Sequence, residues 1–173
     1  NFYLPTFSKD GKKLAYVRLN PRRSPRIIVR DLDSGKERVI AEKAPSQLSF
    51  SPDGESLVFS TLGRHERYYF YYDLYRVDLA GKKPKLKRLT RGARARDPDW
   101  HPTESKIIFV ASQQGTDQIK IYDLESKKTH TLVSRVKPYT QFAHPRYSPD
   151  GSKFVVVRWL PKEGWHLVVA DAN

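Results

Sequence analysis

The stretch Phe50-Ser51-Pro52-Asp53-Gly54, followed by Glu55-Ser56-Leu57-Val58-Phe59-Ser60, decides the fold. Its first five residues are tight-turn chemistry. Proline presets φ at the second turn position, the aspartate side chain can bond the backbone ahead of it, and glycine takes a positive φ at no steric cost. An aromatic residue before such a turn and an apolar, β-favouring run after it read as a hairpin. The stretch recurs as Phe7-Ser8-Lys9-Asp10-Gly11, Trp100-His101-Pro102-Thr103-Glu104 and Tyr147-Ser148-Pro149-Asp150-Gly151, at spacings of 43, 50 and 47 residues. Repetition at this period implies stacked or radially arranged supersecondary units, each too small to bury a core alone.

Working outward, each of the first three turns is followed by three more apolar runs and the fourth by two. In the first unit these are Lys13–Val17, Ile27–Leu32 and Arg38–Ile40; in the second, Leu57–Ser60, Leu74–Leu79 and Leu86–Thr90. The third has Ile107–Val110, Ile119–Leu124 and Thr129–Val133, and the fourth has Phe154–Val157 and Leu167–Asp171 before the chain stops. Two further columns keep register: Tyr16, Phe59, Phe109 and Val156 in the second strand, and Asp31, Asp78, Asp123 and Asp171 at the end of the third. Four-stranded antiparallel units with no helical periodicity between them predict an all-β fold, a β-propeller with about four blades over 1–43, 44–92, 93–138 and 139–173. A β-solenoid would need shorter repeats, and a β-sandwich would lack the self-similarity. The first unit starts inside its first strand and the fourth lacks a last strand. The expectation is therefore an incomplete ring whose open edges are covered by further blades or by a partner chain.

These residues carry a family resemblance. The aromatic-Ser-Pro-Asp-Gly-x-x-Leu-x-Phe pattern, the Tyr-Asp-Leu third strand and the Arg88-Leu89-Thr90 to Asp97-Pro98-Asp99-Trp100 segment resemble the TolB-type, WD-like propeller repeat over essentially the whole chain. The resemblance implies a ring of six or more blades, a non-catalytic scaffold that binds a protein or peptide, and a periplasmic or otherwise extracytoplasmic location in a bacterium. Lys9 in place of proline, and Thr103-Glu104 in place of Asp-Gly, are departures expected to weaken individual turns.

Composition bounds the function. No run approaches the roughly 20 apolar residues of a membrane helix, and the chain opens without a signal segment. The absence of cysteine excludes disulfides, thiolate metal sites and cysteine nucleophiles. The net charge of +13 favours an anionic or acidic partner. No nucleophile elbow, phosphate loop or paired carboxylate occurs, and the five histidines show no metal spacing. No catalytic residue, metal or cofactor is expected. The tyrosines lack the regular interleaving with basic residues of a nucleic-acid stacking platform, which ranks nucleic acid and other polyanions last.

The repeat also sorts loops by face. Loops joining strands two to three, and blade to blade, should emerge on one face of the disc, and the tight turns on the other. The first set holds Arg18, Arg22, Arg23, Arg26, Arg64, Arg67, Arg91, Arg94, Arg96, Arg135 and Arg158, with few lysines. The tight-turn face holds Lys9, Lys12, Lys13, Lys36, Lys82, Lys83, Lys85, Lys106, Lys127, Lys128 and Lys153. Guanidinium groups bind carboxylates bidentately and stack on aromatics, whereas lysine is a hydrated point charge. The arginine face is thus the candidate binding face, with Arg22, Arg23, Arg64, Arg67, Tyr68, Arg91, Arg94 and Arg96 as candidate contacts. The segment Tyr68-Tyr69-Phe70-Tyr71-Tyr72 admits two readings: an interface cluster, or an extended third strand alternating Tyr69, Tyr71 and Tyr75 into the blade core. Asp97 and Asp99 could pair with the neighbouring arginines or face a ligand. The aspartate column, and Ser51 to Gly54 with Ser148 to Gly151, are assigned to turn structure. A peptidase-gating propeller of the prolyl oligopeptidase or tricorn type, its catalytic domain lying elsewhere, is the alternative function.

Overall fold

The computed structural model describes residues 1–81, 83–134 and 137–172. Fifteen antiparallel strands among these form four consecutive sheets. The first holds β1 (Phe2–Phe7), β2 (Lys13–Asn20), β3 (Arg23–Asp31) and β4 (Glu37–Glu42). The second holds β5 (Leu48–Phe50), β6 (Ser56–His65), β7 (Tyr69–Asp78) and β8 (Lys85–Arg88). The third holds β9 (Ala95–Trp100), β10 (Lys106–Gln113), β11 (Thr116–Asp123) and β12 (Thr129–Val133). The fourth has three strands, β13 (Gln141–Tyr147), β14 (Lys153–Leu160) and β15 (Gly164–Asp171). Each sheet keeps its strands in chain order, the up-and-down blade of a propeller.

The second strands of the two inner blades, β6 and β10, are continuous apolar runs at their centres because both of their faces are covered. Along β10, Ile107 and Phe109 join a core shared with blade two, while Ile108 and Val110 join one shared with blade four. Blades one and two meet through Val17, Ile27, Leu57, Phe59 and Val77. The interior is thus a series of blade-to-blade layers. The outward faces of the first and last blades stay uncovered, with Phe2 and Phe7 on one and Trp165, Leu167 and Val169 on the other.

The repeated turns are built as their chemistry requires. In blade two the Ser56 N–H donates to Ser51 Oγ (2.9 Å), the Glu55 N–H to Asp53 Oδ1 (2.9 Å), and Gly54 takes φ of +67°. The Ser51 hydroxyl, then the Glu55 N–H, hold the Asp53 carboxyl below its usual range. In blade four the Ser148 and Ser152 hydroxyls bring Asp150 down to about 2. Both departing turns keep hydrogen bonds. Lys9 leaves the first intact, with Lys13 N–H on Ser8 Oγ (2.9 Å) and Lys12 N–H on Asp10 Oδ1 (3.0 Å). In the third, the His101 N–H still bonds the Lys106 carbonyl (2.9 Å), and His101 Nδ1 accepts the Glu104 N–H (3.0 Å), a bond the other turns do not make.

The aspartate column divides. Asp31 and Asp123 accept turn N–H groups from Ser34 (2.7 Å) and Ser126 (2.7 Å) as expected. Asp78, with Gly81 and not serine three residues on, binds the Ser56 hydroxyl and Arg76 instead, and Asp171 binds Lys153. Innermost strands of neighbouring blades are joined by side chains. Ser49 Oγ accepts the Trp100 N–H (3.0 Å) and donates to Asp99 (2.9 Å), whose other oxygen accepts the Tyr147 N–H (2.9 Å). Burial raises the Asp99 carboxyl above its ordinary value despite nearby Arg146. Asp97 likewise accepts the His144 N–H (3.3 Å). Both acids thus bridge blades, and Asp99 pairs with Arg146 (3.7 Å) and not with the arginine loop.

Candidate binding face

The strand-two-to-three hairpins and the blade-to-blade loops do share a face, and they hold one another in place. The Asp117 N–H at the start of β11 donates to the Thr140 carbonyl in the loop leading to blade four (2.8 Å). Gly92, in the loop leading to blade three, has φ of +70°. A β-carbon there would lie 2.6 Å from the His65 ring at the end of β6, so only glycine lets loop and hairpin pack.

The organising side chain of this face is Asp73 in β7, which is 0% exposed. It accepts the Thr90 hydroxyl (2.7 Å), the Arg88 guanidinium (2.6 Å), the Gly92 N–H (3.1 Å) and the Ala93 N–H (3.0 Å). Arg88 spends its other nitrogens on the Arg64 carbonyl (2.8 Å) and the Thr90 carbonyl (3.0 Å). One buried ion pair therefore fixes both the loop carrying Arg91 and Arg94 and the hairpin carrying Arg64 and Arg67. Asp73 follows a run of tyrosines and falls in no repeat column, so no periodic signal marks it. The Arg-Leu-Thr segment that pairs with it was visible only as a fourth strand.

The candidate contacts separate by environment. Arg22 and Arg23 are exposed in the blade-one hairpin, Arg64 and Arg67 in that of blade two, and Arg91 and Arg94 on the following loop. None of these six has an acidic partner among the described residues. Arg67 lies over the Tyr68 ring (5.6 Å), and Arg94 over Tyr71 (4.3 Å) with Nη2 donating to its hydroxyl (3.1 Å). Arg96 is turned back into the blade, bound to Asp117 and 3.7 Å from Asp97. Arg18 and Arg26 pair with Glu37 (2.6 Å) and Glu42 (2.9 Å). On the tight-turn face Lys13, Lys106 and Lys153 pair with Glu55, Glu104 and Asp171, and the other described lysines there have no acidic partner among the described residues. Arg135 and Lys82 lie outside the described residues.

The tyrosine run matches neither reading alone. It is an extended third strand, but only Tyr75 enters the core, stacked on Phe59 (6.0 Å). Tyr69 stacks on Tyr71 (6.0 Å) in solvent, and Tyr68, Phe70 and Tyr72 are exposed, because β6 and β7 run on past the end of the blade. Nearer the centre, His144 Nδ1 of blade four lies 3.2 Å from the Gln47 Oε1 of blade two. Among the described residues no group of three or more His, Asp or Glu side chains could hold a metal ion. Among the described residues no helix is long and apolar enough to cross a membrane.

Four face-packed antiparallel sheets, three of four strands and one of three, place the molecule in the β-propeller class. The TolB beta propeller domain matches residues 2–172, and the chain belongs to that family. An uncharacterized protein of Agrobacterium fabrum is 26% identical over 175 residues, covering 93% of this chain and 56% of its own length. TolB from Acinetobacter baumannii superposes with a TM-score of 0.81 at 26% identity, over 100% of this chain and 41% of that one. A puromycin hydrolase, at 22% identity and a TM-score of 0.68, covers 99% of this chain and 27% of its own, a likeness of fold alone. The chain thus spans about half the length of the Agrobacterium and Acinetobacter relatives and about a quarter of the hydrolase.

Proposed function

We propose that this propeller is a non-catalytic scaffold that seats an acidic protein or peptide on its arginine face. The observation that carries this reading is the set of six exposed arginines, Arg22, Arg23, Arg64, Arg67, Arg91 and Arg94, which share one face and have no acidic partner among the described residues. Unpaired guanidinium groups held by a rigid frame offer bidentate sites to carboxylates at little further entropic cost. Arg91 and Arg94 form the inner part of the site, with Arg22 and Arg23 on the neighbouring blade, and Arg64, Arg67 and Tyr68 form its rim. Likeness to TolB supports both the scaffold role and a periplasmic or otherwise extracytoplasmic setting. The apolar outer faces of the first and last blades, and the greater length of the relatives, support a larger ring of six or more blades.

The test replaces Arg91 and Arg94 with serine and measures capture of envelope proteins by cross-linking. Capture should fall to background with the melting temperature unchanged. Undiminished capture overturns the reading. Arg96→Ser is the contrasting variant, since its loss of Asp117 should lower stability before it affects capture.

A further inference from the structure

The hairpin of blade two is longer than the others, and the excess is measurable in register. Counting from the aligned core column, pairing runs four residues outward in blade one (Tyr16 to Asn20), blade three (Phe109 to Gln113) and blade four (Val156 to Leu160). In blade two it runs six, from Phe59 to His65. Two extra residue pairs at about 3.4 Å each carry the β6–β7 tip about 7 Å beyond the other hairpins.

That projecting segment is aromatic and cationic. Tyr68 is 74% exposed, Phe70 63% and Tyr69 53%, with Arg64 and Arg67 beside them and Glu66 the single acid of the tip. Directly paired residues share a sheet face, so Leu62 with Tyr72 and Arg64 with Phe70 make one exposed apolar and cationic side, and His65 with Tyr69 the other. A protein partner seated among Arg91, Arg94, Arg22 and Arg23 does not require rings lifted clear of the face on both sides of a ribbon. A flat surface approaching this face would meet the rings first. The overhang matches the roughly 5–10 Å to which the apolar face of an interfacial helix enters the boundary between headgroups and acyl chains. Behind it, the unpaired arginines would lie within a Debye length of a charged plane, about 8 Å at physiological salt.

We propose that the blade-two hairpin is an interfacial anchor that inserts Tyr68, Tyr69 and Phe70 into an anionic lipid surface, with Arg64 and Arg67 on the headgroup phosphates. Tyrosine and phenylalanine supply the apolar term and the arginines the electrostatic one. The anchor shares Arg64, Arg67 and Tyr68 with the rim of the proposed protein site but does not use its inner part, Arg91 and Arg94 in the loop between blades two and three.

The experiment is co-sedimentation of the whole chain with phosphatidylcholine vesicles, with and without about a third phosphatidylglycerol. Binding is expected only with the anionic lipid and should weaken as salt rises. Tyr68→Ser with Phe70→Ser, and separately Arg64→Ser with Arg67→Ser, should each weaken binding roughly tenfold. Lys83→Ser with Lys85→Ser, on the opposite face, should leave it within about twofold. Tyr68→Trp, at an exposed position that tolerates the ring, should blue-shift in emission on mixing with anionic vesicles. Thermal melts establish that each variant is folded. The proposal is overturned by absence of vesicle binding, by a lysine variant that loses as much as the arginine variant, or by a tryptophan whose emission does not move. It is also overturned if the hairpin variants keep vesicle binding and lose capture of a soluble acidic protein instead.

Discussion

Replacing Asp73 with alanine should be the most damaging single change to the arginine face. Four donors converge on this buried carboxylate, two of them backbone N–H groups in the loop that carries Arg91 and Arg94. Breaking a buried, hydrogen-bonded ion pair from one side costs about 3–5 kcal/mol. Arg88 keeps its bonds to the Arg64 and Thr90 carbonyls, so its charge is not left bare, which places the estimate near the lower end, about 3–4 kcal/mol. For a chain of this size that is a fall in melting temperature of about 10 °C. Thermal or urea denaturation measures the total, and hydrogen exchange at the Gly92 and Ala93 amides locates it, since those two should lose protection out of proportion to the blade core. A cycle with Arg88→Ala should return a coupling energy above about 1 kcal/mol. A loss below about 1 kcal/mol, or unchanged protection at Gly92 and Ala93, would refute the view that one ion pair holds loop and hairpin together.

Two further outcomes follow from the turns. Gly151→Ala places a β-carbon 2.4 Å from the buried His101 ring at φ of +79°, and should cost about 2–3 kcal/mol by chemical denaturation. Gly81→Ala, at a similar φ with open space around it, should cost only about 1 kcal/mol; equal losses would remove the role given to His101. The acid limb tests the carboxylates in opposite directions. Asp150 is lowered to about 2, so its stabilisation is present above its unfolded value of about 4 and is lost as pH falls through that interval. Asp150→Asn should flatten that part of the stability profile. Asp99 is raised, so its contribution is fully present below about pH 4 and is lost as pH rises through the raised value. The stability of wild type relative to Asp99→Asn should therefore increase toward acid, and a constant difference across the titration would contradict its burial as the cause.

The parts legible in the chain were those governed by local, repeated chemistry. Ser51 to Gly54 could be read as a turn because each residue's conformational preference acts within four positions, and the fourfold recurrence converted one hairpin into a propeller. Asp31 and Asp123 were legible for the same reason. Asp78 and Asp171 were not, since their partners Ser56 and Lys153 stand on a neighbouring strand. Arg96 illustrates the limit most plainly. Beside Arg91 and Arg94 it reads as a third binding cation, yet strand alternation aims it at Asp117, which is brought there only by the pairing of β10 with β11.

By itself the sequence determined that this chain is a set of antiparallel four-stranded blades and which loops emerge together, because period and turn chemistry survive without any knowledge of distance. Only the tertiary structure decided which arginines are free, how far the β6–β7 hairpin stands out, and that Asp73 ties them together. Those properties depend on pairings between residues 15 to 24 positions apart, whose partners are chosen by strand register and blade packing and leave no periodic mark on the chain.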